Sequence, residues 1–168
     1  MIALGGANVH IMQLLDTTDR RILLALSTTA KRTGAAIATA LNLGRNTVQT
    51  RMTRLENEVL DSVDRRIPPE ALGYGLLSFV ELHVEQRCLE EIAAKLETIP
   101  EVLEAHGLTG SADILVRVAA KDAEELFRVH GQLLHIEGVN RADSALSMAE
   151  LVPYRTTALI KHSLSTDA

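Results

Sequence analysis

The chain has no tryptophan, and its 168 residues hold only two tyrosines, two phenylalanines and one cysteine. Four rings (Tyr74, Phe79, Phe127, Tyr154) are too few for a platform on which RNA or single-stranded DNA bases could stack. The lone Cys88 excludes an intrachain disulfide and any multi-cysteine metal site, in keeping with a reducing compartment. No apolar run nears the ~20 residues that cross a bilayer. The first fourteen residues lack the basic start and continuous apolar stretch of a signal peptide. A cytoplasmic location with no membrane partner is therefore expected. Gly-rich phosphate loops and nucleophile motifs are missing. The histidines (His10, His83, His106, His130, His135, His162) are scattered, and His130 sits in an apolar stripe, the setting of a hydrogen-bonded core residue. The expectation is no enzyme, no catalytic residue, no metal and no cofactor.

Apolar residues make up 46% of the chain, enough to build real cores, and the net charge of −5 argues at first against a nucleic-acid partner. Splitting the chain at Ile67 changes that. Residues 1–67 carry nine Lys/Arg against six Asp/Glu, whereas residues 68–168 carry eight against sixteen. A basic first third joined to an acidic remainder is what results when only one module meets phosphate, although uneven composition alone can also produce it.

The basic third reads as helical. Asp16 can cap a first helix whose stripe is Ile22, Leu23 and Leu26, with Asp19 adding negative charge to its first turn. A short second helix fits Gly34 to Leu41, and a third fits Arg45 to Glu58, where Val48, Met52, Leu55 and Val59 recur at spacings of four, three and four. Pro68-Pro69 then marks a boundary, since neither residue can continue a helix or a central strand.

Beyond it the period alternates. Strands are expected at Leu76–Val84, Val102–Leu108, Ile114–Ala119 and Arg141–Val152. Helices are expected around Leu89–Ile99 and Ala123–Leu134. The order is βαββαβ, the split βαβ of ferredoxin-like domains. Glu90-Glu91-Ile92 echoes Glu124-Glu125-Leu126, and Ile99-Pro100-Glu101-Val102 echoes Ile136-Glu137-Gly138-Val139, as an internal duplication would. Helices on one sheet face leave the other open, which calls for at least a dimer. The fold expected is thus α+β: an N-terminal winged helix-turn-helix followed by a ferredoxin-like effector and oligomerisation domain. The boundaries are a flexible tail (1–14), the helix-turn-helix domain (15–67), a hinge (68–75), the ferredoxin-like domain (76–152) and a C-terminal tail (153–168).

The helix-turn-helix assignment rests on packing. Ala38 is small where the second and third helices approach. Asn42 falls at a turn that favours a left-handed residue, Leu43 plugs that turn, and Val48 anchors the third helix from beneath. With Val48, Met52 and Leu55 inward, a step of about 100° per residue puts Asn46, Thr50, Thr53 and Asn57 outward, flanked by Gln49, Arg51 and Arg54. Amides and hydroxyls suit base edges and arginines suit phosphate. Asn46, Gln49, Thr50 and Thr53 are therefore the candidates for bases. Arg45, Arg51, Arg54 and, from the wing, Arg65 and Arg66 are the candidates for phosphate on double-stranded DNA. A merely solvated helix face is the plainer alternative. Asp61 and Asp64 would repel phosphate near the wing.

From Leu15 to about Val152 the sequence resembles the leucine-responsive regulatory protein/AsnC family of transcription regulators. Leu15-Asp16-Thr17-Thr18-Asp19-Arg20-Arg21-Ile22-Leu23 resembles its opening helix. Asn46-Thr47-Val48 through Arg51-Met52-Thr53-Arg54-Leu55-Glu56 resembles its recognition helix, and Pro69-Glu70-Ala71-Leu72-Gly73 its hinge. Gly107-Leu108-Thr109-Gly110-Ser111-Ala112-Asp113 resembles the effector loop, and Gly138-Val139 the lead into the last strand. The resemblance implies a sequence-specific DNA-binding transcription regulator that forms dimers, then tetramers or octamers, and responds to an amino acid bound between dimers. Carried onto this chain, the effector residues are Gly107, Thr109, Gly110, Ser111, Ala112 and Asp113, with Ser144 keeping a hydroxyl near Ala142 in the last strand. A plain hairpin with Asp113 capping its turn accounts for the same loop. Three positions depart from the family pattern: Gly44 stands where Ser is common, no Gly precedes the wing in Glu56-Asn57-Glu58-Val59-Leu60, and Ala142 replaces a frequent Thr. The rival function is a ligand-binding or assembly module with weak or lost DNA binding.

Overall fold

A computed structural model of the chain describes residues 15–28, 33–60 and 67–166. These divide into two compact units. One is formed by residues before Ile67 together with the segment from Val152 onward, and the other by Ile67–Leu151.

In the helical unit, α1 (Thr17–Thr28), α2 (Gly34–Leu41) and α3 (Arg45–Glu58) surround a core of Ile22, Ala25, Ile37, Ala38, Val48, Met52 and Leu55. Thr33 caps α2, accepting from the Ala36 N–H at 3.3 Å. Asn42 ends it at φ 54°, and the Leu43 N–H donates to Ala38 C=O at 2.9 Å, closing a Schellman turn. That turn swings the chain into α3, whose N-cap is Gly44 and which has no side-chain cap. The expected wing, with Arg65 and Arg66, lies outside the described residues, as does the N-terminal tail.

The unit also contains a helix where a loose tail was expected. α6 (Thr157–Thr166) packs against α1, half-burying Thr157, Ile160, Ser163 and Leu164 at spacings of three, three and one. So the segment from 153 onward is not simply a tail: most of it is structured, and it belongs to the helical unit.

The second unit opens with a 3₁₀ turn, Pro69–Leu72, and runs β1 (Leu76–Val84), α4 (Leu89–Leu96), β2 (Val102–Gly107), β3 (Ile114–Ala120), α5 (Ala123–Leu134) and β4 (Val139–Leu146). The sheet is antiparallel with order β2-β3-β1-β4, the ferredoxin-like arrangement. Val80, Leu82, Val84, Ile114, Val116 and Val118 face α4 and α5, where Ile92, Leu96, Val129 and Leu133 meet them. Leu77, Phe79, Glu81 and His83 alternate onto the other face. The duplication is physical as well as textual. Val102 N–H donates to Ile99 C=O and Val139 N–H to Ile136 C=O, both at 3.0 Å, so one turn is built twice. The last strand begins and ends earlier than its composition implies. Ser78 pairs with Leu146, and β1 starts only two residues before Ser78, so by this register the chain beyond Met148 has no strand left to pair with.

Candidate nucleic-acid interface and effector loop

Burying Val48, Met52 and Leu55 fixes which side of α3 is free. Asn46, Gln49, Thr50, Thr53 and Asn57 are all exposed, with Arg45 beside them at the first turn. The structure thus brings the base-reading candidates together on one outward face. Two of the phosphate candidates have other partners. The Arg51 guanidinium donates to Asp16 and, at 2.8 Å, to Asp19, and Arg54 pairs with the other oxygen of Asp19. Asp19 is 1% exposed. The two carboxylates also cap each other's backbone: Asp19 N–H donates to Asp16 at 2.8 Å and Asp16 N–H to Asp19 at 3.2 Å. The Asp19 N–H first, then the Arg51 guanidinium, hold the Asp16 carboxyl below the ordinary aspartate range, and the two carboxylates raise Arg51 in turn. These arginines therefore clamp α3 onto the start of α1. Arg51 and Arg54 are thus only partly exposed, whereas Arg45 at the first turn is exposed.

The Asp16–Asp19 box was half visible in the sequence as an Asp-x-x-Asp spacing. Its partners were not, because Arg51 and Arg54 lie far along the chain.

In the second unit the loop from Gly107 to Asp113 is a closed hairpin: Leu108 N–H donates to Asp113 C=O at 2.8 Å. Thr109, Gly110 and Ser111 are exposed at its tip, while the Ala112 side chain is buried. The Asp113 carboxylate accepts from Val84 N–H at 2.8 Å and from the Gln86 amide at 2.7 Å, so it ties the loop to the end of β1. Ser144 is not beside that loop within one protomer. It lies on β4, on the far side of β1, and its hydroxyl bonds His130 Nδ1 at 2.7 Å. His130 is thereby a half-buried, partnered residue. Among the described residues no cluster of His, Cys, Asp or Glu could hold a metal ion, and no helix is long and apolar enough to cross a membrane.

Comparison with known proteins decides the family. The AsnC-type helix-turn-helix domain matches residues 15–56, and the Lrp/AsnC ligand binding domain matches residues 77–157. The HTH-type transcriptional regulator FL11 of Pyrococcus furiosus is 33% identical over 127 residues, covering 75% of this chain and 84% of that protein. This chain belongs to the Lrp/AsnC family of transcription regulators. Another relative, AldR of Mycolicibacterium smegmatis, is 32% identical over 67% of this chain and 68% of its own length. Among solved structures, AsnC of E. coli superposes with a TM-score of 0.75 over 86% of this chain and 99% of that one, at 23% identity, a likeness of fold. A feast or famine regulatory protein from M. tuberculosis, solved in complex with L-methionine, gives 0.72 over 84% and 97%, at 27% identity. A Neisseria meningitidis regulator solved with L-Met gives 0.72 over 87% and 99%, at 25%. An Lrp/AsnC regulator joins a DNA-binding helix-turn-helix to a ligand-binding domain and is not an enzyme, which accounts for the two units seen here.

Proposed function

We propose that α3 of this Lrp/AsnC regulator lies in the major groove, with Asn46, Gln49, Thr50 and Thr53 toward base edges and Arg45 on phosphate. The observation that carries this is the single exposed polar face of a helix whose opposite side is locked into a core. Arg51 and Arg54 act mainly by holding that helix to α1, and Arg65 and Arg66 are the further phosphate contacts from the wing. The rim of the sheet's open face is charged (Arg117–Glu104, Arg141–Asp143) around Leu77, Phe79 and Leu115, a surface suited to a second copy, so the working unit is a dimer or a higher oligomer in the cytoplasm. Its effector is an amino acid, as in the two relatives solved with L-methionine. It binds at the Gly107, Thr109, Gly110, Ser111, Ala112 and Asp113 loop, with any share from Ser144 coming from another copy. Ligand then changes assembly, and with it the spacing of the α3 helices. Such coupling needs different affinity in the two assembly states.

The test is DNA selection from a randomised duplex library, followed by titration of the enriched duplex. Asn46→Ala is expected to cost about 1–3 kcal/mol on that duplex and little on unrelated DNA. Wild-type affinity should fall by roughly 10³–10⁵ between 50 and 200 mM salt if a dimer makes about six to ten phosphate contacts. Failure to enrich any duplex at low salt would favour an assembly or ligand-binding module without DNA recognition. For the effector, a thermal-shift screen of the amino acids joined to sedimentation is decisive: no change in stability or assembly with any of them removes the sensing half of the proposal.

A further inference from the structure

α6 offers something that neither family region covers, since the matched ligand-binding domain ends at residue 157, where α6 begins. Its ten residues fall short of the ~12–15 a helix needs to hold alone in water, so it stays folded by docking. The dock is α1, and the polar link in it is Arg20. This guanidinium donates through Nη1 to the Ser163 C=O of the last turn of α6 at 3.4 Å, and through Nε to the Leu15 C=O at 3.0 Å. Carbonyls of a last helical turn carry the negative end of the helix dipole, which a guanidinium complements. Leu15 is the residue before Asp16. The carboxylates of Asp16 and Asp19 hold Arg51 and Arg54 of α3, and α3 itself begins at a glycine with no side-chain cap.

We propose that α6 and Arg20 are positioning elements for the recognition helix: together they fix the start of α1, and through it the seat of α3, so that they set sequence discrimination on DNA. The inference rests on α3 being the base-reading element. Reading base edges demands placement within about half an ångström. Phosphate attraction is far more forgiving, because Coulomb energy falls only as the inverse of distance. A loosened α6 should therefore reduce discrimination before it reduces general DNA affinity, which separates positioning from plain structural support.

The experiment uses the full chain, a duplex enriched by the wild type from a random library, and poly(dI-dC) as the unrelated competitor at the same salt. Arg20→Ala and Leu164→Asp are expected to weaken the enriched duplex roughly tenfold while changing poly(dI-dC) affinity less than about twofold. Arg20→Lys, able to make one of the two bonds, should fall between. Leu159→Ser, on the exposed side of α6, should match the wild type on both DNAs. Equal losses on both DNAs, whether by unfolding or by weaker phosphate contact, overturn the proposal, and so do unchanged affinities in both Arg20→Ala and Leu164→Asp. A wild type that enriches no duplex instead brings down the reading of α3, and this inference with it.

Discussion

Replacing Gly138 by alanine provides a stringent test of how the duplicated turn is packed. Gly138 sits at φ 87°, and a Cβ built there would lie 2.6 Å from Cys88 Cβ, 3.0 Å from its Sγ and 3.4 Å from Ile92 Cδ1. The left-handed backbone costs a non-glycine residue about 1–2 kcal/mol. The collision adds about 1–3 kcal/mol, as overpacking does, because a Cβ cannot rotate out of the way. Retreat of the backbone is opposed by the Glu85 N–H, which donates to Gly138 C=O at 2.8 Å. Gly138→Ala should therefore destabilise the sheet domain by about 2–5 kcal/mol. Cys88→Gly removes the obstructing atoms but leaves φ untouched, so in a double-mutant cycle the second change should return about 1–3 kcal/mol and leave the backbone share unpaid. Urea unfolding of all four proteins at one protein concentration measures this. A coupling below about 0.5 kcal/mol, or a Gly138→Ala variant as stable as the wild type, would refute the steric reasoning.

Asn42→Ala should cost about 1–2 kcal/mol by forcing a left-handed alanine, and Asn42→Gly should not, as thermal unfolding of the two variants will show. Asp113→Ala strands the Val84 N–H and should cost about 1–3 kcal/mol, checked by urea unfolding. Because the folded-state pKa of Asp16 is depressed, its contribution to stability is complete above about pH 4 and fades as pH falls through the lower folded value. Asp16→Asn should therefore flatten the stability-versus-pH curve in that acidic window and leave its shape at neutral pH alone, measured by unfolding across pH.

Where local pattern decides structure, the sequence was a good guide. α2 and α3 run from Gly34 to Leu41 and from Arg45 to Glu58, the spans their apolar spacing predicts, because a left-handed Asn42 and a β-region Gly44 punctuate them. β1 and α5 likewise follow their own periodicity. What a segment's partner decides was not legible. β4 stops at Leu146, two residues short of where β1 runs out, although Leu151 and Val152 beyond it have the composition of a strand. α6 is too short and polar to announce itself, and it folds on a surface supplied by α1. The same holds for the site. The outward face of α3 follows from a 3.6-residue period, whereas the capture of Arg51 and Arg54 by Asp16 and Asp19 depends on how α1 and α3 meet in space. Reading arginines as phosphate ligands by type alone overlooks the acids nearby.

The sheet domain is spliced into the helical unit rather than appended to it, since Ile67–Leu151 leaves the unit after α3 and returns the chain to it before α6. During synthesis this inverts the usual order of completion. Domains fold as units as the chain emerges, so the sheet domain can be complete while the helical unit still waits for α6. A chain cut after Leu151 should therefore keep a folded sheet domain beside a helical unit in which α1 has lost the cover of α6.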